Sequence, residues 1–296
     1  MPELVYPKPL FEFMRERHMI YSRRHSHMEW PWTDDKILQT YSFTNIFRQL
    51  DHGTLWLTDN IIWSHETELK LLFFNILVYR CHNRIETAQR IGWITDYGPE
   101  SAKAYESYMH MLAAMGEHIF TNAYMVTGSV RENGVIPKSK VHQMFGITFP
   151  YAWEHIAEIM PVPGDTLESA FNKLALHVPG IGKFVAYEII TDLRHTSMLD
   201  KATDIMTWCN PGPGARRGLG RLMGRTDPKR LVMANTEECL DIMRQILTHA
   251  PYYLPGFPVI EMRDIEHSLC EFDKYERVRL GQGRPRRKFI QPSLRK

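Results

Sequence analysis

The stretch Leu174–Tyr187, LALHVPGIGKFVAY, decides the fold, because it joins two helical runs through Val178-Pro179-Gly180-Ile181-Gly182. Proline fixes one backbone angle, and the two glycines permit a tight turn. Beyond the turn Val185, Ile189 and Leu193 recur at i, i+4 and i+8, the spacing of a packed helix face. The small Ala186 lets two helices approach, and Lys183 follows the turn directly. Backbone N–H groups at such a turn, with the N-terminus of the next helix, suit a phosphate. An ordinary glycine-containing connection between helices is the competing reading.

Working outward, the flanking sequence is helical almost throughout. Upstream, Leu10–Tyr21 reads as a first helix with prolines before its start, and Trp30–Asp35 as a turn whose Thr or Asp caps the next helix. In Tyr41–Asp51, Asn45 and Arg48 are three apart and are expected to share one helix face. Leu55–Ile62 reads as a short helix, and Glu66–Cys81 as a central buried one, ending in Arg80, His82, Asn83 and Arg84. Further helices are expected over 101–117, 151–160, 228–247 and 261–277, and a short strand or helix over 119–126. A loop is expected at Arg131–Gly134, and a basic helix start at Pro137–Lys140. No repeat, low-complexity run or clear sheet pattern is present, so the expected class is all-α. The expected organisation is a single helical unit with two lobes, 1–160 and 161–296.

The apolar fraction of 44% and charged fraction of 24% are those of a globular chain. Net charge is only +2, but nine Lys or Arg stand against three acidic residues between Glu271 and Lys296. Cys81, Cys209, Cys239 and Cys270 are scattered, which points away from a zinc ribbon, an iron–sulfur cluster or a disulfide framework. His18, His25 and His27 fit no standard metal-ligand spacing and read better as a solvated or phosphate-facing helix end. The N-terminus does not read as a signal peptide, and no run reaches the length of a membrane span. A soluble intracellular protein is the expectation.

Three segments carry candidate chemistry. Asn210-Pro-Gly-Pro-Gly-Ala-Arg216-Arg217-Gly-Leu-Gly-Arg221 places two Pro-Gly pairs before three arginines at a helix start. Free N–H groups and guanidinium forks in that order suit phosphate or pyrophosphate, although a structural turn is an equal alternative. The order GxxxxGK[ST] of a nucleotide loop occurs nowhere. In Glu261–Arg277, Glu266, Cys270, Asp273 and Arg277 recur along one helix face beside Leu269 and Phe272, which reads as a half-buried polar site. Gly281–Lys288 then concentrates Arg284, Arg286, Arg287 and Lys288 on flexible backbone suited to phosphate contact.

The turn at 178–182 resembles the helix-hairpin-helix of DNA repair glycosylases. More broadly, five segments resemble the alpha-glutamyl/putrescinyl thymine pyrophosphorylases, phage amino acid:DNA transferases related to the helical domain of hydroxymethyluracil-DNA kinases. These are PWTDDKILQTYSFTNIFRQLD (31–51), LLFFNILVYRCHNRIET (71–87), VPGIGKFVAYEIITDLR (178–194), DIMTWCNPGPGARRGLGRL (204–222) and DIEHSLCEFDKYERVRLGQGRPRRKF (264–289). The resemblance implies a glycosylase-like helical fold acting on double-stranded phage DNA in the cytoplasm of an infected bacterium. It implies that an amine, either an amino acid such as glycine or glutamate or a polyamine, displaces pyrophosphate from 5-pyrophosphoryloxymethyluracil, after a separate kinase has activated the base.

That chemistry needs donors for the departing charge and a base for the incoming ammonium. Arg216, Arg217 and Arg221 are the first choices for pyrophosphate. Asp204, in a position similar to the glycosylase aspartate, competes with Glu266, His267 and Asp273 as base. Asn45, Arg48, Arg80, Asn83, Lys274 and Arg277 are candidates for the donor or the base. Trp208 joins Trp32, Phe43 and Phe47 as a candidate to stack on an extruded base, and each of these aromatics reads equally as core. Gly180, Gly182 and Lys183, with Arg284, Arg286, Arg287 and Lys288, are the expected DNA contacts. No protein-held metal is expected, while Mg²⁺ travelling with pyrophosphate is left open. A glycosylase or lyase, and a non-enzymatic DNA-binding protein, are the competing functions.

Overall fold

The computed structural model describes residues 7–122 and 139–291. Most of the segment expected as strand or helix near 119–126, the loop at 131–134 and residues 137–138 lie outside them. Among the described residues thirteen α-helices run in the order α1 (Lys8–His25), α2 (Lys36–Thr40), α3 (His52–Leu57), α4 (Leu69–His82), α5 (Ile85–Ile91), α6 (Pro99–Ala114), α7 (Phe149–Glu154), α8 (Ile156–Ile159), α9 (Leu167–His177), α10 (Lys183–Leu193), α11 (Pro213–Leu222), α12 (Thr236–Tyr253) and α13 (Met262–Arg279). Among the described residues there is no strand, only an isolated antiparallel bridge between Tyr41 and Lys288. The all-helical expectation holds.

The chain forms two compact units, and the first is discontinuous: residues 1–51 join 205–296, while 52–204 make the second. The boundary expected at 160 falls inside the second unit.

In the first unit α13 is the centre, contacting α1, α2, α11 and α12. A capping box between Glu261 and Asp264 starts it. Glycine sets its crossing with α11. A Cβ at Gly218 would lie 2.3 Å from the Leu269 carbonyl oxygen, and one at Gly214 would lie 2.4 Å from the Cys270 Sγ. Gly214, in one of the Pro-Gly pairs expected to open N–H groups for an anion, serves close helix packing, as does Gly218. The Gly212 N–H is itself occupied, donating to Glu266 Oε1 at 3.1 Å. The helix expected from 228 begins only at Thr236, where the Asn235 side chain accepts from the Glu238 N–H.

Residues 41–47 are not helical and lead into a short 3₁₀ turn at Arg48–Leu50. The expected shared helix face for Asn45 and Arg48 is therefore corrected. Both residues are gathered instead by Asp51, which accepts the Asn45 backbone N–H at 2.9 Å and pairs with Arg48 at 3.1 Å. A side-chain acceptor so close in sequence offers the backbone an alternative to helix.

In the second unit α4 is central, with Leu72, Phe73, Phe74, Ile76 and Leu77 fully buried. It is apolar on all sides because it is enclosed on all sides. Each such side chain contributes roughly 1.5–3 kcal/mol on burial. The helix starts at Leu69, not Glu66, and Asn83 ends it in the left-handed conformation at φ 48°. Helices α9 and α10 pack together across the 178–182 turn, and α10 packs on α4. Gly180 takes φ 84°, the one position of that turn that needs glycine. Thr166 caps α9, accepting from the Ser169 N–H at 3.0 Å.

Candidate functional site

The α11–α13 crossing brings together the two segments singled out in the sequence. Asp273 is 1% exposed and stands among three guanidinium groups. Its Oδ2 accepts from Arg217 Nε at 2.8 Å, and its Oδ1 from Arg221 Nε at 2.9 Å. Arg277, one turn along α13, places its Nε 3.6 Å from Oδ2. Arg221 also donates from Nη1 to Gln282 Oε1 at 3.0 Å. One carboxylate thus organises three cations, leaving two formal positive charges uncompensated within the cluster.

The three arginines differ in exposure. Arg221 is nearly sealed at 6%, whereas Arg217 and Arg277 remain 31% and 37% exposed. Among the described residues no partner is found for either Nη group of Arg217, and the buried Nε of Arg277 makes no hydrogen bond. The Nη groups of Arg217 and the half-open Arg277 therefore keep donor capacity at a helix crossing. Such a set matches an anion carrying several oxygens.

Arg216, the first of the expected trio, is spent on the fold. Its Nε donates to the Pro211 carbonyl, its Nη1 to those of Met233 and Ala234, and its Nη2 to Thr236 Oγ1 at 2.7 Å. It pins the start of α11 to the loop before α12.

Beside the crossing, Glu266 and His267 are both buried, with Oε2 and Nε2 3.8 Å apart. Asp264, which the sequence did not single out, lies 2% exposed, and among the described residues its Oδ1 has no hydrogen-bond partner. Burial, opposed by the neighbouring Arg263, pushes its carboxyl up to about 6. Burial likewise raises Asp51, against the opposing charge of Arg48. Cys270, expected as a buried member of this face, is exposed.

The remaining candidates of this unit serve internal contacts. Asn45 donates from Nδ2 to the Leu50 carbonyl and to Asp51, and its Oδ1 accepts from Arg17 at 2.9 Å. Lys274 donates to Glu271 at 2.6 Å and lies 4.5 Å over the Phe43 ring. Glu271 also accepts the Thr44 backbone N–H. Trp208, Trp32, Phe43 and Phe47 are all buried core residues.

The second unit holds the other predicted positions. Arg80 is not on a helix surface: its side chain is 4% exposed, against 1% for its partner Asp192. Its Nε pairs with Asp192 Oδ2, while Nη2 donates to Asp192 Oδ1 at 2.6 Å and to Thr54 Oγ1 at 2.9 Å. Nη1 reaches Asn83 Oδ1 at 3.1 Å. Asp204 accepts the Leu167 and Glu168 backbone N–H groups at 2.7 and 3.0 Å, closing the start of α9. Gly182, Lys183 and Phe184 form an exposed start to α10 with no side-chain cap. Asp192 could have been suspected from the sequence only as a carboxylate within an otherwise apolar helical run, and Asp264, flanked by Arg263, Glu266 and His267, carried no such signal.

Among the described residues no group of three His, Cys, Asp or Glu side chains converges as a metal site. No described helix is long and apolar enough to cross a membrane.

Fold and site together define an all-α protein with a half-open arginine cluster built on a buried aspartate. Residues 6–284 match the family model described as 5-hmdU DNA kinase, helical domain, and the chain belongs to that family. A curated relative, the 5-hmdU DNA kinase of Bacillus phage SP10, is 26% identical over 262 residues, which is 83% of this chain. The match covers 40% of that relative, so the chain spans about two fifths of its length. No solved structure matches the chain.

Proposed function

We propose that the chain is a transferase acting on duplex phage DNA, in which an amine displaces pyrophosphate from 5-pyrophosphoryloxymethyluracil. The observation that carries this reading is the partly exposed pair of guanidinium groups, Arg217 and Arg277, held around the buried Asp273. The relative's name describes a kinase acting on 5-hmdU in DNA, and placing two phosphoryl groups in succession on that hydroxymethyl oxygen would create the pyrophosphate leaving group such a cluster suits. The chain has no GxxxxGK[ST] segment, so the kinase step is assigned outside these residues.

In this reading the amine nitrogen attacks the base methylene carbon as the bond to the pyrophosphate oxygen breaks. The electron pair leaves on pyrophosphate, which Arg217, Arg221 and Arg277 stabilise. The attacking ammonium first loses a proton, and Glu266 beside His267 is the assigned base. Asp273 has both oxygens occupied by arginine donors and acts as the counter-ion that aims them. Asp204, engaged with two backbone N–H groups, is assigned to structure. Mg²⁺ accompanying the pyrophosphate belongs to the substrate in this scheme. The α9–turn–α10 pair is read as a glycosylase-like helix-hairpin-helix, with Gly180, Gly182 and Lys183 at a DNA phosphate. The setting is the cytoplasm of the infected bacterial host.

The test is incubation with DNA carrying the pyrophosphorylated base and a pool of amino acids and polyamines. Released pyrophosphate would be assayed, and nucleosides analysed by mass spectrometry. A new carbon–nitrogen adduct with stoichiometric pyrophosphate is expected, and its mass identifies the donor. Abasic sites would replace this reading with a glycosylase. Unchanged nucleosides with retained DNA binding would reduce the chain to a DNA-binding protein.

A further inference from the structure

The basic stretch after α13 does not trail away from the first unit but is strapped down on it. The Phe289 N–H donates to the Thr40 carbonyl at 2.9 Å, and the Ser42 N–H to the Arg287 carbonyl at 3.2 Å. Between them Tyr41 and Lys288 form the isolated antiparallel bridge. The Phe289 ring stacks on Trp30, with centroids 5.4 Å apart and planes at 12°, and meets Trp32 edge-on at 6.1 Å. At the other end Gln282 accepts from Arg221. A segment of eight residues is therefore anchored at both ends.

Between and beside these anchors Arg284, Arg286, Arg287 and Lys288 are exposed, and among the described residues none is in an ion pair. Arg24, also exposed, sits 5.8 Å over the Trp32 ring and adds a fifth cation beside the clasp. Like charges gathered on one short strap repel one another and gain nothing for the fold. Their concentration is explained by a polyanion, and duplex DNA offers about one negative charge per 1.7 Å of axis. Holding the strap in place before binding spares the ordering cost that a loose tail would meet.

We propose that residues 282–289 form a preorganised rail for the phosphate backbone of duplex DNA, with Trp30, Trp32 and Phe289 as positioning residues that seat its four cations. The inference rests on the DNA-substrate reading above but adds the strap's geometry and the aromatic clasp. It also gives the rail a direct tie, through Gln282, to an arginine of the cluster.

The test measures binding of the full chain to an unmodified duplex across a salt series, without amine or pyrophosphorylated base. Changing Arg284, Arg286, Arg287 and Lys288 together to Gln is expected to flatten the slope of log K against log salt by about 3.6, at roughly 0.9 per lost phosphate contact. Phe289→Ala keeps every charge, yet is expected to weaken binding about tenfold and flatten the slope by about 1, with Phe289→Tyr restoring both. Thermal melting of each variant separates these effects from misfolding. Unchanged binding in the quadruple variant would overturn the rail, and an unchanged Phe289→Ala would overturn the clasp. A loss confined to single-stranded oligonucleotides would overturn the assignment to duplex. If no donor is ever transferred while these variants still weaken binding, the transferase reading falls and the rail stands.

Discussion

Arg80–Asp192 in the second unit and the Asp273 cluster in the first are both arginine–carboxylate sites with an aspartate 1% exposed, and they behave as opposites. At Arg80 the guanidinium is 4% exposed and its fork is turned inward onto Asp192, Thr54 and Asn83. At Asp273 two of three guanidiniums remain about a third exposed and keep N–H groups to spare. A buried carboxylate alone does not mark a site for ligands. What distinguishes the two is where the cations face and whether their donors are spent.

Breaking the sealed site is expected to have the largest effect. Arg80→Ala leaves Asp192 buried without its arginine and should lower the stability of the protein by about 3–5 kcal/mol in chemical denaturation. A loss below about 1 kcal/mol would erase the contrast.

Asp264 provides a third kind of buried carboxylate, with one oxygen unpartnered among the described residues. The folded state keeps its proton up to about pH 6, whereas the unfolded chain releases it near 3.8. Stability should therefore fall as pH rises from about 4 to 6, with a penalty of at most roughly 3 kcal/mol, complete above about pH 6. Asp264→Asn keeps an oxygen for the Glu261 N–H at the helix cap, removes the titration, and should flatten that part of the stability–pH profile. An unchanged profile would place the titrating group elsewhere.

Arg217→Gln sharpens the comparison from the open side. It should cost less than about 1 kcal/mol in stability, in line with a half-exposed pair. Pyrophosphate release should nevertheless slow about 10²-fold, the effect of removing one preorganised donor. A large stability loss with unchanged turnover would assign Arg217 to the fold, as Arg216 already is.

The smallest effects lie in the 178–182 turn. Gly180→Ala, at φ 84°, should cost about 1–2 kcal/mol in melting experiments. At Gly182 a Cβ meets nothing within 4 Å and φ is negative, so Gly182→Ala should change stability by only a few tenths of a kcal/mol.

The helical class and the positions of α4, α9, α10 and α13 were legible in the sequence, because apolar residues at three- and four-residue intervals report a buried face directly. The Glu266–Arg277 stripe was legible as a polar helix face for the same reason. Periodicity failed at Tyr41–Asp51, where Asp51 captures the Asn45 backbone and leaves only a 3₁₀ turn. It also could not tell Arg216 from Arg217, neighbours on one helix. A rotation of about 100° per residue turns one toward backbone carbonyls and the other toward Asp273.

Sequence by itself determined which residues carry charge and which faces are apolar, since both follow from residue type and spacing along one chain. Only the tertiary structure decided which arginines are spent and which remain open. That choice depends on partners more than fifty residues away, Asp273 for Arg217 and Asp192 for Arg80, and on glycines that let α11 and α13 touch.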